Sequence, residues 1–347
     1  MILARGERPF RIVARTLVRM TTREETAVAA EPAQRSATRG IVLAAVSLVW
    51  MAGLLWSART TITGGGGDAE LEVTSTAYAL PGAVSASLVT GAAVALAVVT
   101  AVGRGGRLSG ATARFALATG AGLVLGLLGA LTIVTINTSG WVYAVVGGTI
   151  AAAATIGGAL AGVRVPRVVA AVCWAAIAVF LVGFVLNVVQ TPLLRAFGSG
   201  DSAASQTSAA NWFSFLQSLL SGIAAGVVSY RSLRRGRAGS AGPDPSWPLY
   251  ALAGAGPGLL LLLAEGLSRT AGARVLALAG RVSELEQTVQ RMLSGSRFNS
   301  AMIVLFVGAV AAIVAVGRTM APAADDPAAE DPATGDPTGD PAAGGGD

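Results

Sequence analysis

The sequence predicts an all-helical membrane bundle with eight spans, and three observations carry that expectation. Hydrophobic residues make up 53% of the 347 positions and charged ones only 13%, against about 25% charged in an ordinary soluble domain. Eight apolar runs each approach the roughly 20 residues that a helix needs to cross hydrocarbon. Arginine clusters end alternate runs, as in Leu219 to Arg237 (LLSGIAAGVVSYRSLRRGR) and Leu88 to Arg107 (LVTGAAVALAVVTAVGRGGR). An Arg at the bilayer centre costs roughly 2.5–3.5 kcal/mol, so these runs stop at a membrane surface, and such clusters are retained on the cytoplasmic side.

In chain order, residues 1–40 form a basic leader. Arg5, Arg8, Arg11, Arg15 and Arg19 recur every three or four residues among Ile2, Leu3, Ile12, Val13 and Leu17, the pattern of a basic amphipathic helix. Met20 opens a polar stretch and offers an alternative start, and no secretory cleavage pattern is present. The apolar runs fall at about 41–58, 82–103, 115–136, 141–163, 168–190, 211–230, 249–267 and 299–317. With the leader inside, the inner connections hold Arg104, Arg107 and Arg114, then Arg164 and Arg167, then Arg231, Arg234, Arg235 and Arg237. The first three outer connections hold only Arg59 and Arg195, together with Asp68, Glu70, Glu72 and Asp201. This threading places both termini in the cytoplasm of a bacterial cell, with the chain multi-pass in the cell membrane. Trp56, Tyr78, Trp141, Tyr143, Trp212 and Tyr230 sit near run ends, as interfacial aromatics do, while Trp50 and Trp174 lie deeper.

The last outer connection breaks the charge rule, since Arg269, Arg274, Arg281, Arg291 and Arg297 would all lie outside. A rival threading has 249–267, interrupted by Gly254, Gly256, Pro257 and Gly258, dip in and return on one side, leaving seven spans. Residues 270–293 are expected to form an extracytoplasmic amphipathic helix: Val275, Leu278, Val282, Leu285, Val289 and Met292 step by three and four, a seam that one helix lays against another. The seam serves either to dock this helix on its own bundle or headgroups, or to bind a second copy or a partner. Residues 320–347, with Asp-Pro pairs at Asp326, Asp331, Asp336 and Asp340, are expected to be a disordered acidic tail.

The two membrane halves, 41–163 and 164–319, share short matches in the same order. Val42 to Val46 (VLAAV) faces Val168 to Val172 (VVAAV), Leu88 to Gly91 (LVTG) faces Leu219 to Gly222 (LLSG), and Phe115 to Ala118 (FALA) faces Tyr250 to Ala253 (YALA). Four spans followed by four of equal orientation would be a parallel repeat, an arrangement that some transporters build around a central site.

Missing residues limit the chemistry. All 25 basic residues are Arg and there is no His, so Ser-His and Cys-His pairs, imidazole metal sites, Schiff bases and P-loop lysines are excluded. The all-Arg usage in a chain rich in Ala, Gly and Val points to a GC-rich bacterial source. Cys173, the only cysteine, lies in an apolar run and reads as a buried small residue. No catalytic residue, cofactor or metal is expected. The basic loops suit an anionic leaflet, so the lipid bilayer is the expected partner and nucleic acid is not.

Three polar features remain as candidates. Glu265, with Arg269 four residues on, is a helical ion pair or a cation or substrate site. Asn187, Gln190, Asn211 and Gln217 bracket the outer junction of the fifth and sixth runs, where they tie helices together or line a polar pocket. The Gly254, Gly256, Pro257 and Gly258 segment is a helix break that could line a cavity. Gly122/Gly126, Gly158/Gly162 and Gly222/Gly226 are spaced for close helix packing. The first functional expectation is a non-enzymatic protein that works by assembly through the 270–293 seam. The alternative is a transporter or channel component for an uncharged or lipid-like solute.

Overall fold

A computed structural model of the chain describes residues 38–61, 69–104, 110–135, 141–163, 165–237, 246–270 and 284–319, with backbone alone at 69–73, 236–237, 284–287 and 290–291. Residues 1–37 of the leader and the acidic tail lie outside the described residues, as do Val275, Leu278 and Val282 of the seam. Among the described residues there are nine helices and no strand: α1 (Thr38–Thr61), α2 (Ala69–Gly103), α3 (Ala111–Val134), α4 (Trp141–Ala161), α5 (Pro166–Val188), α6 (Gln190–Ala196), α7 (Ala203–Arg237), α8 (Trp247–Thr270) and α9 (Glu284–Gly317). All but the short α6 are long and apolar enough to span a bilayer.

The chain is a multi-pass helical bundle with eight candidate spans. α8 runs unbroken from Trp247 to Thr270 with Pro257 inside it. Gly254, Gly256, Pro257 and Gly258 are therefore continuous helix, not a break, and the re-entrant alternative for 249–267 falls away. The helix tolerates Pro257 because one missing backbone donor is cheap where neighbouring helices cover the turn, and Pro257 is fully buried. Pro81 lies likewise inside α2.

Several helices outrun the apolar segments that mark them. α2 and α7 have 35 residues each, and α9 has 34. α9 begins at Glu284, so the last ten residues of the expected 270–293 helix are the opening turns of the eighth span and do not end at Leu293. Hydrogen bonds between ends fix the up-and-down course. Arg39 Nη1 donates to Arg235 O at 3.0 Å, and Arg114 Nη2 to Val163 O at 2.9 Å, at the end that carries the Arg clusters. At the other end Arg59 Nη1 donates to Thr132 O at 3.3 Å and Arg269 Nη2 to Ser294 O at 2.8 Å.

α2 is the central helix: 61% of its apolar window is buried, against 28% for α3 and for α9. The outer faces of those two are apolar, as lipid requires, with Val124, Leu128 and Leu131 on α3 and Phe306 and Val310 on α9 exposed. Trp56 and Trp141 are exposed near helix ends and Trp212 is exposed further inside α7, whereas Tyr143, expected at an interface, is 3% exposed and belongs to the core.

Glycine sets the helix spacing, because lipid supplies little hydrophobic drive and close backbone contact must supply the attraction. Gly122 of α3 lies against Ala154 and Gly158 of α4, and Gly126 against Ala151. In the second half Gly254 of α8 lies against Gly308 and Ala312 of α9, and Gly258 against Leu305. The α4 contacts at 151, 154 and 158 and the α9 contacts at 305, 308 and 312 have the same spacing. Gly91 of α2 meets Ala154 of α4, and Gly226 of α7 meets Gly308 of α9. The sets α2–α3–α4 and α7–α8–α9 thus pack in one register. That register pairs Gly91 with Gly226, one helical turn away from the Gly222 that the sequence matches pair it with.

Hydroxyls in the spans mostly return to their own helix. Ser47 Oγ donates to Leu43 O at 2.8 Å, Ser87 Oγ to Ala83 O at 2.7 Å and Ser268 Oγ to Ala264 O at 2.9 Å, which satisfies them in an apolar surrounding. Others stitch helices together instead: Thr90 Oγ1 to Ser47 O at 3.0 Å joins α2 to α1, Ser229 Oγ to Ala253 O at 2.8 Å joins α7 to α8, and Ser294 Oγ to Glu265 Oε1 at 2.7 Å joins α9 to α8.

Candidate functional site

α7 carries Ser214, Gln217, Ser218 and Ser221, spaced by three and four, so one polar stripe runs down a single face of the helix. α9 answers with Ser296, Arg297 and Ser300 above Ala301 and Val304. Between these faces lies a cavity of about 520 Å³, closed on its other sides by Val179 to Asn187 of α5, by Leu261, Ala264 and Glu265 of α8, and by Pro81 and Ser85 of α2. Gly183 of α5 makes the room: a Cβ there would come within 3.2 Å of Gln217 Nε2.

Glu265 is the buried charge of this cavity, at 6% exposure. Its Oε1 accepts a hydrogen bond from Arg269 Nε at 2.8 Å and another from Ser294 Oγ at 2.7 Å. Arg269 is itself held, with its guanidinium 5.7 Å from the centre of the Phe298 ring and its Nη2 on Ser294 O. The carboxylate is thus neutralised by one cation and oriented by a hydroxyl, the condition under which burying it becomes affordable. Arg297 differs. Its guanidinium is partly buried, interacts at longer range with Glu265 and Tyr78, and makes no hydrogen bond or ion pair among the described residues. With Glu265 matched to Arg269, the cavity carries one positive charge in surplus.

A second, apolar cavity of about 240 Å³ adjoins the first and shares Ser85, Val179, Phe180 and Leu261 with it. Trp50, Leu54, Gly82, Val89, Ala176, Pro257 and Leu260 complete its walls. Trp50 and Phe180 pack with ring centroids 4.7 Å apart. The Trp50 Nε1 is buried with no acceptor among the described residues.

Of the residues singled out by sequence, Glu265, Asn187 and Gln217 come together in the polar cavity. Gln190 instead opens the short α6 and lies outside it. Pro257 lines the apolar cavity, while Gly254 and Gly258 are spent on contact with α9 and Gly256 on Val172 of α5. Of the seam, Leu285 has only its backbone described, Val289 is partly buried and Met292 is 71% exposed. Sequence reasoning missed Arg297, Ser218, Ser221 and Ser300. The three-four spacing of the α7 stripe was the signal that could have found Ser218 and Ser221.

Cys173 is fully buried with its Sγ 3.9 Å from Val89 O, which fits a small packing residue. Among the described residues no group of three His, Cys, Asp or Glu side chains could hold a metal ion. The chain matches no family model, no curated protein and no solved structure.

Proposed function

We propose that this protein is a non-enzymatic membrane carrier that binds its solute in the α5–α7–α8–α9 cavity. One observation carries the reading: a span end keeps Glu265, Arg297 and a stripe of polar side chains around empty volume, where apolar filling would stabilise the bundle more. Ion pairs that merely tie helices together close on each other, whereas Arg297 makes no ion pair among the described residues. The shared packing register of the two halves supports a duplicated four-span unit, the arrangement that places a solute site between repeats. In this reading the Arg-rich end lies in the cytoplasm of a bacterial cell, by the retention of Arg clusters, and the cavity opens toward the opposite side. Activity of a cytoplasm-specific reporter fused after Arg318 is the expected outcome for that orientation.

Cysteine labelling tests the cavity. In a Cys173→Ala background, Ser221→Cys and Ser300→Cys are expected to react with a small water-soluble thiol reagent, as the exposed control Ala204→Cys does. Protection of both cavity positions, with the control labelled, would remove the carrier reading. The assembly reading then takes its place. It predicts that Leu278→Asp with Leu285→Asp abolishes a cross-linked complex while the bundle still inserts.

A further inference from the structure

We infer that the solute of this cavity is an anionic amphiphile, a carboxylate or phosphate carried on a hydrocarbon chain. The inference rests on the carrier reading and adds the chemical class of its ligand. Charge selects the head. Glu265 already receives Arg269 and Ser294, so it is spoken for, while the Arg297 guanidinium faces the polar cavity with no hydrogen bond or ion pair among the described residues. A cation so placed is best matched by a carboxylate or phosphate, whose oxygens form charge-assisted hydrogen bonds with the guanidinium fork. Ser300, one turn further into the bundle on the same face of α9, and the Gln217 amide across the cavity supply neutral donors for the remaining lone pairs.

The adjoining space selects the tail. The two cavities meet at Ser85, Val179, Phe180 and Leu261, and beyond that point the walls are apolar side chains of α1, α2, α5 and α8. A free small anion would leave that second cavity unfilled, and a neutral hydrocarbon would leave the Arg297 charge unmatched. A single molecule with both parts fills both, with its head near the bilayer surface and its chain running inward past Phe180 toward Trp50 and Pro257.

Trp50 provides the readout. Protein purified in neutral maltoside detergent is titrated with terminally brominated decanoate and, in parallel, with the matching brominated decanol, and indole quenching is taken as the difference between the natural chain and Trp50→Phe. The acid is expected to quench saturably and the alcohol to bind roughly tenfold or more weakly, the worth of one charge-assisted hydrogen bond. Arg297→Gln is expected to abolish that preference without changing the alcohol, and Arg297→Lys to keep part of it. Acetate and inorganic phosphate in excess are expected to leave the brominated acid in place, which assigns the anion to an amphiphile and not to free solute. Equal binding of acid and alcohol, survival of the preference in Arg297→Gln, displacement by acetate, or quenching unaltered in Trp50→Phe would each overturn the inference. If Ser221→Cys still labels in that event, the cavity stands and only the ligand class has failed; if it does not label, the carrier reading has failed first.

Discussion

Helices α2, α3 and α4 and helices α7, α8 and α9 share one packing register and fill it with opposite chemistry. Once the glycine contacts align the two sets, the position of Glu265 in the second is held in the first by Ile133, that of Arg297 by Tyr143 and that of Ser300 by Val146. The serines of the α7 stripe have alanines opposite them, Ser218 facing Ala83 and Ser221 facing Ala86. All five residues of the first set belong to one core cluster and none is more than 5% exposed. The same scaffold is solid in one half and hollow in the other. Closing this packing with apolar side chains is therefore within the reach of the fold, and the polar cavity is not something its geometry imposes. Polar groups that a scaffold could exclude, yet keeps at a span end, support the carrier reading.

The largest effect is expected from forcing the second half's chemistry on the first. Ile133→Glu buries a carboxylate in the packed core while the neighbouring Arg59 is engaged on Thr132 O and Thr135 Oγ1, and breaking or omitting one partner of a buried pair costs about 3–5 kcal/mol. Loss of monodisperse protein after detergent extraction is the expected outcome; recovery at natural levels would mean that the first half hides water or a cation that its packing does not reveal. The reverse exchange sharpens the comparison. Glu265→Ile with Arg297→Tyr and Ser300→Val fills the hollow half as the solid one is filled, and replacing a buried ionic cluster by apolar residues stabilises by about 1–4 kcal/mol. Arg269 is 45% exposed and can turn to water when its partner goes. The triple variant should melt at higher temperature in detergent and protect Ser221→Cys from labelling; a lower melting temperature would show that the two halves are not equivalent.

The count of spans was legible in the sequence because each is an apolar run near the bilayer thickness, and hydropathy reads that directly. Helix ends were not. Thr74 to Pro81 of α2 and Ala203 to Ala210 of α7 are polar or small residues that read as loop, yet they extend helices whose stability comes from neighbours. The same difficulty concealed half of the site. Arg297 falls two residues before the eighth apolar run at 299–317, where it counts as a loop charge, but α9 carries it inside the bundle from a start at Glu284. Glu265 was legible because an acid inside an apolar run stands out, and Ser218 or Ser221 was not, because a lone serine in a span ordinarily bonds back to its own helix, as Ser218 Oγ does to Ser214 O at 2.8 Å. Pro257 misled for a related reason: a Gly-Pro-Gly run signals a break in water, while in lipid its glycines admit α9 and α5 and the helix continues.

An intermediate effect tests the register itself. Gly122→Leu and Gly254→Leu each drive a side chain into the backbone of the partner helix, and overpacking of this kind costs about 1–3 kcal/mol or more. Gly148 and Gly266 lie on the same four helices with open space where a Cβ would go, so Gly148→Leu and Gly266→Leu serve as matched controls with little expected loss. Equal falls in melting temperature for the first pair would support the shared register. A fall confined to Gly122→Leu would mean that the hollow half yields where the solid one cannot, and the equivalence would hold for backbone position but not for rigidity.

The smallest effect is expected at the seam between the halves, where Trp50 of α1 meets Phe180 of α5. Two terms oppose each other in Trp50→Phe. The smaller ring gives up contact with Phe180 and with the apolar cavity, while the buried Nε1, which has no acceptor among the described residues, disappears. An unsatisfied buried donor costs about 1–3 kcal/mol, comparable to what the lost ring area contributes at about 25 cal/mol per Å². The two should nearly cancel, leaving a melting temperature close to that of the natural chain. A clear loss of stability would mean that the indole N–H has a partner after all, and the apolar cavity is where that partner, a water, would have to sit.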